Sequence, residues 1–263
     1  MKLMSLIQII ENNIFAIGSY WGSFNSSTSC ADGIYSMNTG IEVADLNWTW
    51  NSKPLVEKDS KIVIRLIKSY KDLNLPFWWW VYPSGKSEKT KEILQNAGFK
   101  RTEAIACMAI DISSDPMLQI QKSDEIAISL VKDNRELNKW ETISFAGFEM
   151  PQNTRRQYNE FVKSFDVSKN SPQKLFLAYW QGEPVGTALL FLHGDTAGIY
   201  FVTTLTAYRD RGIALALVRR AMNYLQTATY KYCILQSSKE GFNVYLRGGF
   251  KECCQADVYC LPD

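Results

Sequence analysis

Between residues 57 and 73 apolar side chains recur at helical spacing, with Ile62, Val63, Leu66, Ile67 and Tyr70 on one face and charges between them, the pattern of an amphipathic helix. Pro76 closes that stretch, and the apolar run 77–81 reads as a buried strand. A second helix is predicted over 88–96 with Ile93 and Leu94 inward; Gly98 stops it, and 103–112 forms another strand. Downstream, 140–148 belongs to a helical region. Strands follow at 174–180, 185–192 and 198–204, turned by Gln181-Gly182-Glu183-Pro184 and by Gly194-Asp195. Over 211–226, Ile213, Leu215, Leu217, Val218, Met222 and Leu225 fit a helix packed on a sheet, and 232–236 is a short buried strand. This order of strands, helix, strand, helix and strand is that of an α/β (α+β) sheet with a crossover helix.

The polar, turn-rich stretch 113–124 separates these two patterned regions. It predicts a first domain over 1–118 and a second over 124–263. An internal echo supports two related halves: Asn96-Ala97-Gly98-Phe99-Lys100 parallels Arg247-Gly248-Gly249-Phe250-Lys251, and at the same offset the strand 107–110 falls on 258–261. Each is a helix, a Gly-Phe stop and a final strand, although a glycine after a helix is also a common cap.

Composition narrows the function classes. Hydrophobic residues make up 46% and charged residues 21%, which describes a globular protein with a core and not a disordered one. Lys and Arg number 29 against 27 Asp and Glu, a net charge of +2 that does not announce a nucleic-acid surface. No run approaches the ~20 apolar residues of a spanning helix, and the apolar start is interrupted at Gln8, Glu11, Asn12 and Asn13 before any signal-peptide core forms. A cytoplasmic, membrane-free protein is expected. The cysteines at 30, 107, 233, 253, 254 and 260 form no CxxC pair; Cys107, Cys233 and Cys260 read as small buried hydrophobes, and Cys253 with Cys254 as an adjacency without obvious use. The single histidine, His193, sits in a hairpin turn, so multi-histidine metal sites are excluded and no metal is expected.

The most informative stretch is 202–214. Val202, Thr203 and Thr204 end a strand, and a loop carrying Arg209, Asp210 and Arg211 leads to Gly212, Ile213 and Ala214 at a helix start. Backbone N–H groups there are unpaired and the helix dipole is positive, so the geometry suits a pyrophosphate. Gly212 leaves room for the phosphate oxygens, Ala214 keeps the next turn bare, and Arg209 and Arg211 can add charge-assisted bonds. The plainer alternative is a surface helix whose arginines are solvated. Other nucleotide motifs fail: Ser84-Gly85-Lys86-Ser87 ends like a P-loop, but Trp80 stands at the earlier glycine position and Pro83 breaks the loop. No GxGxxG follows a strand.

The spacing Arg-x-x-Gly-x-Ala at 209–214 resembles the pyrophosphate signature of the GNAT superfamily of N-acetyltransferases, and Tyr245-Leu246-Arg247-Gly248-Gly249-Phe250 resembles that family's Tyr-x-x-x-Gly-Phe element. Gln181 to Gly186 is similar to the hairpin before its central strands, and Leu235-Gln236-Ser237-Ser238 to the end of its fifth strand, so the resemblance covers about 174–261. Gly98-Phe99 with the closing strand, and Thr39-Gly40-Ile41 with Asn47, resemble the degenerate first half of tandem GNAT proteins; no Arg-x-x-Gly-x-Gly/Ala occurs there. The implied fold is two GNAT-like domains, each a mixed, mostly antiparallel twisted sheet flanked by helices, with CoA bound by the second alone.

The resemblance implies acetyl transfer from acetyl-CoA to a primary amine, of a small molecule or a protein, by direct attack on the thioester. It assigns Val202, Thr203, Thr204, Arg209, Asp210, Arg211, Gly212, Ile213, Ala214 and Ser238 to the CoA site and gives Tyr245 the protonation of the departing thiolate. A purely structural role for Tyr245, packed on the Gly249-Phe250 turn, is the alternative. Residues 199–204 offer no carboxylate as general base. Asn47 and Glu149 are the acceptor-side candidates, Glu149 also as base, with a water relay as the other route. Ser238 stands where relatives often have asparagine and Gly248 where leucine is usual, departures expected to loosen the helix carrying Tyr245. An inactive acyl-CoA sensor, or a tandem-GNAT transferase with another acyl donor, stays open beside the acetyltransferase. The tryptophans at 48, 50, 78, 79 and 80 fit either a ligand-binding face or a buried sheet.

Overall fold

The computed structural model describes residues 5–25, 29–113, 125–225 and 230–262; most of the expected interdomain segment, 114–124, lies outside them. In chain order the elements are α1 (Leu6–Gly22), β1 (Ser29–Ala31), β2 (Ile34–Met37), β3 (Trp48–Asn51), α2 (Ser60–Asp72), β4 (Trp78–Val81), α3 (Glu88–Asn96) and β5 (Lys100–Asp111). They continue as β6 (Ile126–Leu130), α4 (Asn134–Gly147), α5 (Arg155–Lys163), β7 (Gln173–Trp180), β8 (Glu183–His193), β9 (Thr196–Thr204), α6 (Ile213–Leu225), β10 (Tyr232–Ser237), α7 (Phe242–Arg247) and β11 (Lys251–Cys260). Two compact units result: Met1–Cys107 with Cys253–Asp263, and Met108–Glu252. Residues 253–263, read from the sequence as part of the second domain, are thus grouped with the first.

In the first unit the strand order is β1-β2-β3-β4-β11-β5. β3 and β4 are parallel, while β11 runs antiparallel to β4, pairing Asp257 with Val81 and Cys260 with Trp78. Strand alternation explains the tryptophan run. Trp79 enters a core with Leu66, Tyr70, Phe77, Val81 and Phe99, whereas on the opposite face Trp80 meets both Trp78 and Trp48. α1 covers part of that face so closely that a Cβ on Gly18 would lie 2.9 Å from the Trp50 ring. The Asp59 carboxylate, itself buried, accepts the Val56 N–H at 2.9 Å just before α2.

The internal echo has a common geometry. Gly98 and Gly249 are left-handed, with φ of +96° and +89°. Behind them Phe99 N–H reaches the Leu94 carbonyl at 3.0 Å and Phe250 N–H the Tyr245 carbonyl at 3.1 Å. Both helices therefore end in the same six-to-one cap.

The second unit contains β10-β9-β8-β7-β6 in that order, antiparallel except for the parallel β9–β10 pair. The end of β5 also belongs here, and the adjoining Ile112 N–H donates to the Lys231 carbonyl at 2.8 Å. α4 lies on one face, with Trp140 Nε1 donating to the Ala188 carbonyl at 3.3 Å. α6 lies on the other, its Tyr224 ring edge-on to Phe176. His193 ends β8 opposite Thr196 across the Gly194-Asp195 turn. Among the described residues no helix is long and apolar enough to cross a membrane, and no group of three or more His, Cys, Asp or Glu could hold a metal ion.

Candidate functional site

The site is built where two parallel neighbours part. β9 and β10 pair from Thr196 with Tyr232 to Gly198 with Ile234, and no further register pair joins them although both strands continue. On its other side β9 is bulged: Thr187 faces Thr203 and Leu189 faces Tyr200, so Phe201 and Val202 together oppose Ala188. Phe201 takes φ +51°, and its carbonyl accepts the Thr187 hydroxyl at 3.0 Å. A bulge re-aims the strand it interrupts, here immediately before Val202, Thr203 and Thr204. Two polar atoms at the parting are buried without a protein partner among the described residues, Thr204 Oγ1 and Gln236 Nε2.

Beyond Thr204 the chain makes one short turn, 206–208, and enters α6. Asp210 and Gly212 both have left-handed backbones, φ +62° and +78°. Ala216 N–H bonds back to the Gly212 carbonyl at 3.0 Å, which starts the helix. Among the described residues the backbone N–H groups of 210–215 have no acceptor, six consecutive donors at the positive end of a helix dipole. A Cβ on Gly212 would meet nothing within 4 Å. Glycine is needed there by its backbone angle as well as by the space it leaves.

The two arginines are held by the protein itself. Arg209 donates to the Thr204 carbonyl at 3.3 Å and pairs with Glu149 at 3.2 Å; Thr206 donates to the same carboxylate oxygen at 3.2 Å. Glu149, in the left-handed position after α4 (φ +52°), is therefore a tie on the loop. The carboxylate expected on the acceptor side, or as base, is thus engaged by Thr206 and Arg209. Arg211 lies with its guanidinium carbon 4.9 Å from the Trp180 ring centre and 5.5 Å from that of Tyr208.

Tyr245 is carried by α7, whose Gly248 end sits 3.5 Å, as measured from an added Cβ, from Leu215 in the first turns of α6. Burial pushes the Tyr245 phenol up to about 12, so it keeps its proton at neutral pH. Its ring meets Phe250 edge-on at 6.3 Å, which accommodates the packing role without using the hydroxyl. In the turn before this helix Ser238 Oγ accepts the Gly241 N–H at 3.2 Å.

Asn47 lies in the first unit, fully buried, with Oδ1 accepting Thr39 N–H at 3.0 Å and Nδ2 donating to the carbonyls of Ile41, Val43 and Pro76. Its amide staples a loop, with its oxygen and its nitrogen engaged by main-chain groups, so the acceptor-binding role expected for it draws no support from its hydrogen bonds. Conversely, sequence reasoning passed over Gly147 and Gly186, where a Cβ would come within 2.7 Å of the Thr203 side chain and 2.9 Å of its carbonyl. Only their being glycines in otherwise regular elements could have flagged them.

Residues 134–250 match the family model described as acetyltransferase (GNAT) family. Among solved structures the chain is similar to a GCN5-related N-acetyltransferase from Kribbella flavida, with 14% identity, 99% of this chain and 97% of that one covered, and a TM-score of 0.73. It is similar also to a GCN5-related N-acetyltransferase from Sphaerobacter thermophilus (15% identity, 87% and 76% covered, TM-score 0.63). A tandem GNAT protein from the clavulanic acid biosynthesis pathway is a third (10% identity, 89% and 82% covered, TM-score 0.59). No curated protein sequence matches the chain. At these identities the likeness to solved structures is one of fold.

Proposed function

We propose that this chain transfers an acetyl group from acetyl-CoA to a primary amine, a reading that the match of residues 134–250 to the acetyltransferase (GNAT) family model supports. The observation that carries the reading is the run of unpaired N–H donors over 210–215 around the open space at Gly212, which fits a pyrophosphate. The unpartnered Thr204 Oγ1 and the parting of β9 from β10 fit an extended, amide-bearing arm laid along Val202, Thr203 and Thr204.

Acetyl-CoA, when bound, supplies an activated thioester carbonyl. The chain's N–H donors over 210–215 hold its pyrophosphate, and the main chain of 202–204 orients the arm. As the amine nitrogen bonds to the carbonyl carbon and the carbon–sulfur bond breaks, Tyr245 delivers its phenolic proton to the departing sulfur. The amine proton leaves through water, because β9 between 199 and 204 bears no carboxylate and Glu149 is engaged by Thr206 and Arg209. In the first unit Asp59 caps the turn before α2 with a buried carboxylate, which repels phosphate where a second cradle would stand. One CoA per chain follows.

Calorimetric titration with acetyl-CoA tests the reading, with thiol release followed across a panel of amines. Ala214→Glu, which places a carboxylate in the first helical turn without disturbing a left-handed residue, should abolish binding. Unchanged affinity in that variant, together with unchanged affinity in Gly212→Glu, would refute the phosphate site. The engaged state of Glu149 favours one second reading, a sensor that binds acyl-CoA without turnover. Saturable binding with no thiol release from any amine would select it.

A further inference from the structure

At the end of the first unit's sheet where β4 and β5 begin and β11 finishes, three side chains form a row across adjacent strands. Trp78 on β4 pairs in register with Cys260 on β11, and the Cys260 thiol lies 3.7 Å from the Thr102 hydroxyl on β5. The row lines an open cavity of about 470 Å³, to which Leu75, Phe77 and Leu261 add apolar wall. That volume falls within the ~300–1,000 Å³ of small-molecule sites. Every residue lining it belongs to the first unit. Trp78 is half-buried, which leaves part of its ring to whatever enters.

Two ammonium groups line the cavity and no carboxylate does: Lys71 comes from the last turn of α2, and Lys100 is the first residue of β5. Both are exposed, and among the described residues neither is in an ion pair. A helix dipole favours a cation at its C-terminal end, which accounts for Lys71 and not for Lys100. The two lysines disfavour a cationic ligand, and the negative end of α2 disfavours a polyanion such as a phosphate ester. A single negative charge on an apolar body satisfies both conditions. We propose that this cavity binds an aromatic carboxylate, with its ring against Trp78 and its carboxylate paired with Lys71 and Lys100. Nothing in this depends on the acetyltransferase reading.

The full chain is titrated by calorimetry with para-benzoylbenzoate, an aryl carboxylate whose ketone cross-links to nearby C–H bonds under near-ultraviolet light, and the labelled peptides are mapped by mass spectrometry. Saturable binding that weakens with salt is expected, with the label on the peptides of Trp78 or of Cys260 to Pro262. Both lysines are exposed, so Lys71→Gln with Lys100→Gln removes the charge without touching the core. That double variant should bind the probe roughly tenfold more weakly and keep the wild-type thermal midpoint. Neutral benzophenone should bind the two proteins alike. Excess benzoate should displace the probe, and decanoate should not; displacement by decanoate alone would refute the aromatic class. Unchanged affinity in the double variant, labels confined to peptides outside the cavity, or no saturable binding would each overturn the site.

Discussion

Glu149 and Arg209 face each other at 3.2 Å across the start of the loop that leads into α6, the first from the left-handed residue after α4 and the second from the loop itself. The pair is exposed, 66% and 48% at the side chains, so its worth is that of a surface bridge. Glu149→Ala should weaken acetyl-CoA binding roughly threefold, an effect of about 0–1 kcal/mol that fades at high salt, and leave the acceptor KM unchanged. Titrations at two ionic strengths, with acceptor kinetics alongside, check both parts. A raised KM with unchanged CoA affinity would return Glu149 to the acceptor side.

Gly147→Ala should destabilise the second unit by about 1–3 kcal/mol, the usual cost of overpacking. Its Cβ would stand 2.7 Å from both Cγ2 and Oγ1 of Thr203. Thr203→Ala removes both atoms, so the double variant should recover most of the loss. Urea denaturation of the four members of this cycle measures the coupling.

Tyr245→Phe should lower kcat about 10²–10⁴-fold if the phenol is the general acid, with CoA affinity kept. Since burial raises the phenol from 10.0 to about 12, wild-type activity should show no basic limb from Tyr245 below that value. The folded state disfavours the phenolate. Its contribution to stability is therefore complete below pH 10.0 and lost as pH rises from 10.0 to about 12. Tyr245→Phe should abolish that part of the alkaline loss, which pH-dependent thermal melts would register. A variant with wild-type kcat would leave Tyr245 only its contact with Phe250.

Asn47→Ala should cost about 3 kcal/mol or more in the first unit, because carbonyls of Ile41 and Pro76 and the Thr39 N–H lose buried partners at once. Kinetics per folded molecule should stay unchanged. A soluble, stable variant with a raised acceptor KM would contradict the structural role.

Legibility in the sequence followed the range of the forces involved. α3 runs over 88–96 as its periodicity predicts, and α6, β9 and the left-handed Gly98 and Gly249 lie where local pattern places them. α1 did not stand out, because Glu11 and Asn13 interrupt its apolar run while being buried themselves; Glu11 accepts the Ser84 N–H at 2.8 Å, a partner 73 residues away. The echo of 107–110 at 258–261 announces a strand and says nothing about its sheet, since β4 as a neighbour is chosen by long-range pairing. In the candidate site, the left-handed turn at 210–212 before α6 was readable because its backbone geometry depends on a few adjacent residues. The tie from Glu149 and the ring contacts of Arg211 with Trp180 and Tyr208 come from separate elements and left no spacing to read.

The position of β11 between β4 and β5 bears on how the protein is born. A ribosome delivers the whole of Met108–Glu252 before it delivers β11, so the nascent first unit must wait with two strand edges open while the second can already close. Domains usually fold in the order of their synthesis; here the order is inverted. In that interval the unpaired edges of β4 and β5 are the surfaces most exposed to aggregation, and a chaperone that shields extended chain would act on the half that is translated first.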